Sequence, residues 1–513
     1  MFNIISEINP DMLAGSLSVV IILTVLTALV ALVAVFLIGK YHAVQNDDTL
    51  MVGRLKIGYV IGIVAVVGVA VRLLLTFVIN GYADSYSSAY GVANDVININ
   101  EGFEGFTGDH VNVAPLAGYI YALFGGWGLA LGFGQDDIMM QFFLKLPLIL
   151  ADVVTFAILY RIANKYANRY VSLALASLFM LSPMFFVMSS AWGSVYSLLL
   201  PAVLLTFYFL LNKNIFGMTV AVCAACLVSP DAIFIAPIVA IYLVYAFVKA
   251  IMRMVKVKPS FDAVFRDGTL YNVFYVPLCI VLGIAAIYLI SLPAYYPDGV
   301  IGFADVYSQL FIRPFTYADG VLEYFAANGL NIFTIFTLNF TTLGTNFPTL
   351  FFVGIFLVLI VALVLVIFLM KRNRANIVLL ASFVSLTVAV YFIGTGEWAT
   401  APALLLMLFC FAVAKDKRIL KVFSLQSVFV TLNALLVMLG GNQISGTFNE
   451  EVFQMSSDTV FNTFSILLSV LSVLTHIYYT VVVMDITLTK RRKEFLTESM
   501  SSFGEVMHGW IRG

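Results

Sequence analysis

Residues 348–370 read PTLFFVGIFLVLIVALVLVIFLM and contain no charged side chain. The hydrocarbon core of a bilayer is about 30 Å thick, and an α-helix needs about 20 consecutive apolar residues to cross it. Lys371, Arg372 and Arg374 follow the stretch at once. Because Lys and Arg accumulate on the cytoplasmic side of membrane helices, the stretch predicts a transmembrane helix that ends at the cytoplasm.

The whole chain has the composition of a membrane protein. Of its 513 residues, 62% are hydrophobic and 11% are charged, whereas roughly a quarter of the residues in a soluble domain are charged. The net charge of −1 leaves no broad basic surface, which argues against a nucleic-acid partner. All four cysteines lie inside apolar runs, so we expect no disulfide-linked external domain. We interpret the chain as an all-α polytopic membrane protein.

Apolar windows of about 17–25 residues recur along the chain, and each predicts a membrane-spanning helix. They lie near residues 16–38, 57–79, 138–160, 171–190, 194–211, 215–229, 231–248, 272–292, 348–370, 375–393, 400–414, 419–440 and 459–484. The pattern predicts a bundle of about 13 transmembrane helices. It divides the chain into an extra N-terminal span and cytoplasmic loop (1–56), a transmembrane core (57–440), a last external loop and last span (441–489), and a basic cytoplasmic tail (490–513).

Basic residues cluster at alternate junctions between the predicted spans. The clusters lie near residues 40–56, 161–169, 213, 249–266, 371–374, 415–421 and 490–493. By the positive-inside rule these junctions are cytoplasmic, which predicts a multi-pass protein of the cell membrane with its N-terminus outside and its C-terminus inside. The acidic loops 80–137 and 293–347 are then external, and we expect them to carry interfacial or re-entrant helices. The basic run at 490–493 is typical of contact with anionic membrane lipids.

An arginine and an aspartate lie at the outer end of the span predicted near 57–79. Arg72 is inside the span, and Asp84 follows it in GYADSYSSAY. Ionisable residues at a membrane boundary are costly and are therefore candidates for function. Two interpretations stay open: Arg72 reaches out to the interface and Asp84 is an ordinary solvated carboxylate, or Asp84 is the general base for an acceptor hydroxyl.

Lys145 and Asp152 enclose the sequence KLPLILAD, and their spacing of seven residues puts them on one face of a helix. One interpretation is a structural pair inside the bundle. The other places Lys145 near the outer boundary as the cation for a lipid-linked phosphate, with Asp152 as its orienter or as a tie between helices.

Several motifs occur in the order found in a known enzyme family. They are GYAD (81–84), APLAGYIYAL (114–123), KLPLILAD (145–152), LSPMFFVMSSAWGSVYS (181–197), SPDAIFIAP (229–237) and AANGLNIFTI (326–335). Over about residues 57–440 the chain resembles the bacterial branch of the GT-C integral membrane glycosyltransferases, in particular relatives of the GPI-anchor second-mannose mannosyltransferase. The resemblance implies that a hexose, mannose or a similar sugar, passes from a polyprenyl-phosphate carrier to an acceptor at the non-cytoplasmic face. It also implies that Asp84 is catalytic, because the family has an aspartate in its first large external loop.

The chain departs from the family at four motifs, one of which is a pair of prolines before Gly118 and Tyr119 that is reduced to Pro115. A usual Trp-Gly-Gln-x-Asp appears as Trp-Gly-Ser-Val-Tyr at 192–196, Lys-Pro-Gln as Ser-Pro-Asp at 229–231, and His-Glu-Arg-Tyr as Gly-Glu-Trp-Ala at 396–399. The missing lysine removes a phosphate contact. The role of binding the donor phosphate is then expected to fall on three other cations, Lys145, Arg72 and Arg313.

These losses also favour a function of another class. The chain is then a catalytically degenerate scaffold of the GT-C type, which binds a lipid-linked glycan or a partner membrane protein without turnover. A lipid or glycan transporter is a third interpretation, but it needs a polar path through the bundle, and in the sequence only Asp152 lies deep enough to mark one.

Further polar and aromatic residues are expected to contact the substrate. They are Tyr90, Asp109, Tyr119, Trp192, Asn328, Asn331 and Glu397. The two asparagines are equally suited to helix capping, and Trp192, with Trp127 and Trp398, suits the interfacial aromatic belt as well as sugar stacking.

A divalent cation is the only cofactor that the sequence suggests. Asp109 and His110, with Glu101 or Glu104, supply suitable ligand types in the first external loop. Their spacing matches no metal-binding motif, so we assign no metal ligands.

Overall fold

The computed structural model describes residues 51–52, 55–79, 83–97, 113–135, 137–259, 264, 267–296, 299–316, 324–344, 348–370, 374–440 and 459–488. This part of the chain is mostly α-helical, as predicted for an all-α membrane protein. The first predicted span, near 16–38, and the basic tail at 490–513 lie outside the described residues.

The described helices are numbered in chain order. In the first half they are α1 Ile57–Val78, α2 Ala83–Ile97, α3 Pro115–Ala130, α4 Ile138–Tyr166, α5 Arg169–Leu181, α6 Pro183–Phe186, α7 Tyr196–Leu211, α8 Ile215–Val228 and α9 Ala236–Val257. In the second half they are α10 Asn272–Tyr295, α11 Phe303–Phe311, α12 Ile332–Ile335, α13 Thr349–Met370, α14 Arg374–Tyr391, α15 Ala401–Ala414, α16 Lys417–Gly440 and α17 Thr459–Leu488. Short 3₁₀ turns lie at Pro230–Phe234 and Arg313–Phe315, and the two-residue strands are β1 Met51–Val52, β2 Leu55–Lys56, β3 Ala326–Ala327 and β4 Thr395–Gly396.

Six of the described helices are long and apolar enough to cross a membrane: α1, α4, α9, α10, α16 and α17. The broken pair of α5 and the segment 183–192, bent by 44°, makes a seventh if it is counted as one span. Each span predicted from residue 57 onward coincides with helix. The number of about 13 crossings is not confirmed, because a helix as short as α15, with 14 residues, is only about 21 Å long.

The break after α5 has a local cause. Ser182 precedes Pro183, and a residue before proline is disfavoured in helical conformation. After α6 the chain widens into a π-helical segment, Val187–Trp192, which ends at Gly193 with φ of 84°. Glycine takes this left-handed conformation without a Cβ penalty. π-Helical turns are frequent at functional sites, and this one leads directly into Tyr196 at the start of α7.

The bundle has a buried centre and a lipid-facing surface. Almost every residue of α15 is buried, because α4, α5, α7, α14 and α16 surround it. By contrast α1 and α10 expose large apolar side chains, among them Val66, Leu74, Val281 and Leu289. An exposed apolar helix face is stable where lipid is the solvent.

The loop at 324–344 is attached to the segment that connects α14 and α15. β3 pairs in parallel with β4, with Ala326 opposite Thr395 and Ala327 opposite Gly396. At Gly329 a Cβ atom would lie 2.3 Å from the carbonyl oxygen of Thr395, so only glycine allows the two backbones to approach this closely.

Candidate functional site

A cavity of about 370 Å³ opens among the described residues near one end of the bundle core. Its walls come from the start of α3, the start of α7, the 3₁₀ turn at Pro230–Phe234, the end of α10, α11 with the turn that follows it, α14, and β4 with the start of α15. Cavities of this volume accommodate small ligands.

Three wall segments are those at which the sequence departs from the glycosyltransferase motifs. Tyr196 lines the cavity from the first motif, Ser229 and Asp231 line it from the second, and Gly396 and Ala399 line it from the third. These segments are far apart in the chain, and the fold brings them around one space. Aromatic rings complete the wall, because Phe234 and Phe392 pack edge to face with ring centroids 4.7 Å apart.

A tyrosine and an aspartate from two different motifs are bonded to each other at this wall. The Tyr196 hydroxyl donates a hydrogen bond to the Asp231 carboxylate. Glu397 lies near enough for its charge to act on the same hydroxyl. Burial raises the pKa of Asp231, while hydrogen bonds with Tyr196 and Ser229 lower it. The wall is therefore acidic at Asp231, two residues after Ser229, where the predicted motif has its lysine.

A cation lies behind another part of the wall. Nη1 of Arg313 donates to Oε1 of Gln309 at 2.9 Å, and Gln309, Pro314 and Phe315 line the cavity. The charge of Arg313 also acts on Tyr295, a further lining residue. The site thus combines hydrogen-bond acceptors, aromatic faces and a nearby guanidinium, which is the set of groups that a sugar with an attached phosphate requires.

Asn328 and Asn331 hold the wall without lining it. Both side chains are fully buried. Asn331 caps α12, where its Oδ1 accepts from the Thr334 amide, and its Nδ2 donates to Thr395 Oγ1 at 2.6 Å. The Asn328 backbone amide donates to Asn339 Oδ1 at 2.8 Å. Both asparagines therefore act through their neighbours, as capping and loop-holding residues do.

The cations Arg72 and Lys145 lie elsewhere. Nε of Arg72 lies 2.8 Å from Oδ2 of Asp152, and both side chains are 0% exposed. Nζ of Lys145 donates to the carbonyls of Ile79 at 2.8 Å and Ala191 at 3.4 Å. Asp152 therefore pairs with Arg72 and not with Lys145, so the expected Lys145–Asp152 pair and the orienting role of Asp152 for Lys145 are both wrong, whereas Asp152 does tie two helices, α1 and α4, together. The sequence spacing within one helix could not show that α1 places an arginine beside α4.

Neither Arg72 nor Lys145 lines the cavity. Lys145 is nevertheless close to the first motif, because its side chain packs beside Gly193, whose Cβ would be 3.7 Å from the Lys145 Cε. The motif segment that contains Gly193 therefore has Lys145 on one side and, three residues later, Tyr196 at the cavity wall.

The candidates of the first external loop either contact other parts of the protein or lie outside the described residues. Asp84 is the second residue of α2, and its side chain is outside the described part. Tyr90 stacks on Tyr86 one turn earlier, with centroids 6.5 Å apart, and the Tyr119 hydroxyl donates to the carbonyl of Ile290 at 2.8 Å. Asp109 lies outside the described residues.

Two tryptophans lie in the core and not in an interfacial belt. Trp192 and Trp398 are 2% and 3% exposed, and their rings pack edge to face 5.4 Å apart. This corrects the expectation that they belong to the aromatic belt, whereas Trp127, at 51% exposure, has the accessibility of a belt residue. Trp192 does not line the cavity, but it connects to the cavity wall through the chain that follows it and through its ring contact with Trp398.

The described residues contain no group of three His, Cys, Asp or Glu side chains that could hold a metal ion. The proposed cation ligands Asp109, His110, Glu101 and Glu104 all lie outside the described part. The prediction of a divalent cation is therefore neither supported nor opposed.

No protein-family model, curated protein or solved structure matches this chain. The GT-C resemblance therefore stays a prediction from motifs. The structure adds lining residues that the sequence did not single out, namely Tyr295, Gln309, Ser385 and Thr395. No spacing or composition signal marks them, since each reaches the cavity through tertiary packing alone.

Proposed function

We propose that the protein is an integral membrane glycosyltransferase that moves a hexose, mannose or a similar sugar, from a polyprenyl-phosphate donor to an acceptor at the non-cytoplasmic face. The convergence of three motif segments on one cavity carries this proposal. The proposal includes a GT-C-like bundle of about 13 transmembrane helices, two external loops with interfacial or re-entrant helices, an external N-terminus and a cytoplasmic C-terminus.

In the proposed reaction the sugar lies in the cavity. Asp231 accepts hydrogen bonds from sugar hydroxyls, the aromatic wall packs on the apolar face of the ring, and Arg313 attracts the donor phosphate. The acceptor oxygen attacks the anomeric carbon as the bond to the phosphate oxygen breaks, so the configuration inverts and the polyprenyl phosphate leaves. Asp84 takes the proton of the acceptor hydroxyl. Arg72 and Lys145 are both buried. They stabilise the structure around the Gly193 segment and do not contact the phosphate.

A cavity-filling substitution tests this proposal. Ser385 lines the cavity from α14 and is buried, so Ser385→Phe would occupy part of the space. In proteoliposomes supplied with a radiolabelled polyprenyl-phosphate hexose, we expect this variant to lose transfer of the label and release of polyprenyl phosphate. The control is Leu278→Phe on α10, where the side chain is 51% exposed to the lipid side. Equal activity in both variants would contradict the assignment of the cavity.

A non-catalytic scaffold is the second candidate, and one observation favours it. Two of the three cations expected to bind phosphate, Arg72 and Lys145, are instead used in buried contacts with the protein. A scaffold would bind the polyprenyl-phosphate sugar without releasing polyprenyl phosphate. The protein is a scaffold if, in the same proteoliposomes and at full occupancy by the polyprenyl-phosphate sugar, it binds this ligand but releases no polyprenyl phosphate.

A further inference from the structure

Helices α16 and α17 pack against each other with polar side chains between them. On α17, Ser465, Ser469 and Ser472 recur at intervals of four and three, which puts them on one face of the helix, and all three are 0% exposed. Small residues at such intervals are typical of close helix packing in membranes, so the spacing alone indicates no ligand.

Two contacts fix the register of this helix pair. Arg418 on α16 contacts Asp485 on α17 at 2.7 Å. Eight residues further along α16, the Gln426 side chain donates to the Ser472 carbonyl at 2.9 Å and accepts from the Ser472 hydroxyl at 3.1 Å. The helices are therefore antiparallel. Asn433 lies one heptad after Gln426 on α16, and Ser465 lies one heptad before Ser472 on α17. In the same register, Asn433 is therefore opposite Ser465.

Around Asn433 and Ser465, the described residues include buried polar atoms that have no hydrogen-bond partner. Among the described residues, Oδ1 of Asn433, Oγ of Ser465 and Oγ of Ser469 are buried and have no hydrogen-bond partner. Asn433 is held in place, because its Nδ2 donates to the Asn328 carbonyl at 2.7 Å. Buried polar groups are nearly always bonded to protein or to ordered water.

The two serines differ from the threonines that follow, although among the described residues of these helices the buried Ser427 hydroxyl on α16 also lacks a partner. The hydroxyl of Thr431 donates to the carbonyl of Ser427 four residues earlier, and that of Thr475 donates to the carbonyl of Leu471. This bond within the helix is the usual partner of such a hydroxyl in a membrane. Ser465 and Ser469 do not make it, so their hydroxyls need another partner between the helices.

We propose that the interface between α16 and α17 binds a buried file of water molecules, held by Asn433, Ser465 and Ser469. Water fits the available groups, because a carbonyl oxygen needs a donor, while a hydroxyl takes either role. The three side chains are fully buried, so a glycan or lipid headgroup would have to separate the helices. The water molecules lie beside Asn328, whose carbonyl Asn433 contacts. Asn328 belongs to the loop in which β3 pairs with β4 at the cavity wall.

Water accessibility can be measured with the full chain in lipid nanodiscs. X-ray radiolysis converts bound water to hydroxyl radicals in place, and a thiol beside that water is oxidised. In a Ser469→Cys variant we expect position 469 to be oxidised severalfold faster than Cys410, because buried water beside the thiol is the source of the radicals. Cys410 on α15 is 0% exposed and lies in an apolar helix, which makes it an internal control. A thiol at position 469 as protected as Cys410 overturns the proposal.

A stability measurement gives an independent check. In a dry interface, removing unpaired hydroxyls relieves their desolvation, so a Ser465→Ala, Ser469→Ala double variant would melt at a higher temperature. If the hydroxyls bind water, the double variant loses those bonds, and we expect a lower apparent melting temperature. A higher melting temperature overturns the water file.

Discussion

The Tyr196 hydroxyl donates a hydrogen bond to the Asp231 carboxylate, and so joins the start of α7 to the turn that precedes α9. Both residues line the cavity. Both residues lie in segments that differ from the glycosyltransferase motifs predicted from the sequence: Tyr196 stands where an aspartate is expected, and Asp231 where a glutamine is expected.

This pair predicts a specific pH dependence of activity. Burial raises the pKa of Asp231, so the carboxylate is lost as the pH falls through a value above the ordinary one of about 3.9. If the Asp231 carboxylate binds the sugar, the rate of sugar transfer should decline as the pH falls through this range. Tyr196→Phe removes a hydrogen bond that lowers the pKa of Asp231. In this variant the decline of sugar transfer at acidic pH should therefore begin at a higher pH. The control is Asp267→Asn, which changes a partly exposed carboxyl whose pKa is lowered by the Thr269 amide. An equal shift in both variants would contradict the prediction.

The same raised pKa makes a prediction about stability with the opposite sign. A carboxyl whose pKa is higher in the folded state stabilises the protein when protonated, and this contribution is lost as the pH rises through the folded pKa. At neutral pH we therefore expect Asp231→Asn to melt at a higher temperature than the native protein, although it transfers less sugar. Apparent melting temperatures between about pH 4 and pH 8 check this. A lower melting temperature for the variant at pH 7 would show that ionised Asp231 is well satisfied.

The buried pair of Arg72 and Asp152 should matter for stability far more than a surface pair. Removing one partner leaves an uncompensated buried charge, which typically costs about 3–5 kcal/mol, so Arg72→Ala should unfold at much lower temperature. Replacing both with apolar residues, Arg72→Met with Asp152→Leu, should recover most of that loss. The surface pair of Arg253 and Asp267, 2.6 Å apart, with side chains 49% and 28% exposed, is the control. Arg253→Ala should cost less than about 1 kcal/mol.

The contact between Gly329 and Thr395 predicts a loss of activity through the cavity wall. A Cβ at position 329 would lie 2.3 Å from the Thr395 carbonyl oxygen, so Gly329→Ala must displace β4. We expect transfer to fall together with thermal stability. At Gly354 nothing lies within 4 Å of an added Cβ, and Gly354→Ala in α13 should stabilise by about 0.5–1 kcal/mol. If Gly329→Ala behaves like Gly354→Ala, β4 does not need this close approach.

The predicted orientation in the membrane can be measured directly. Lys256 and Asp305 are both exposed in the structure, and the charge pattern places the first in the cytoplasm and the second outside. A membrane-impermeant maleimide added to intact cells should label a cysteine at 305 and leave one at 256 unlabelled until the cells are opened. Labelling of 256 alone would invert the topology and remove the external active site.

The sequence predicted most of the helices because their apolar runs are long. Every run from residue 57 onward forms helix, and the composition identified a membrane protein. The number of crossings could not be predicted, since α7, α8 and α15 are apolar but short. Their depth depends on packing and not on residue type.

The candidate site was predicted only in part. Motif comparison pointed to residues 192–196, 229–231 and 396–399, yet it could not show that Tyr196 bonds Asp231 or that all three segments share a cavity. Arg72 looked like a phosphate ligand because a charge in an apolar run is conspicuous, whereas its partner Asp152 lies 80 residues away in the chain. Such contacts between helices leave no local pattern in the sequence.

In the proposed mechanism, sugar transfer depends on Asp84. In proteoliposomes with labelled polyprenyl-phosphate hexose, Asp84→Asn keeps the size of the side chain but removes the basic group. The rate of transfer should fall by roughly 10²–10⁴ while donor binding is retained. Asp305→Asn, at an exposed carboxylate in the first turn of α11, should transfer at the native rate. Full transfer by Asp84→Asn would contradict the proposed catalytic mechanism.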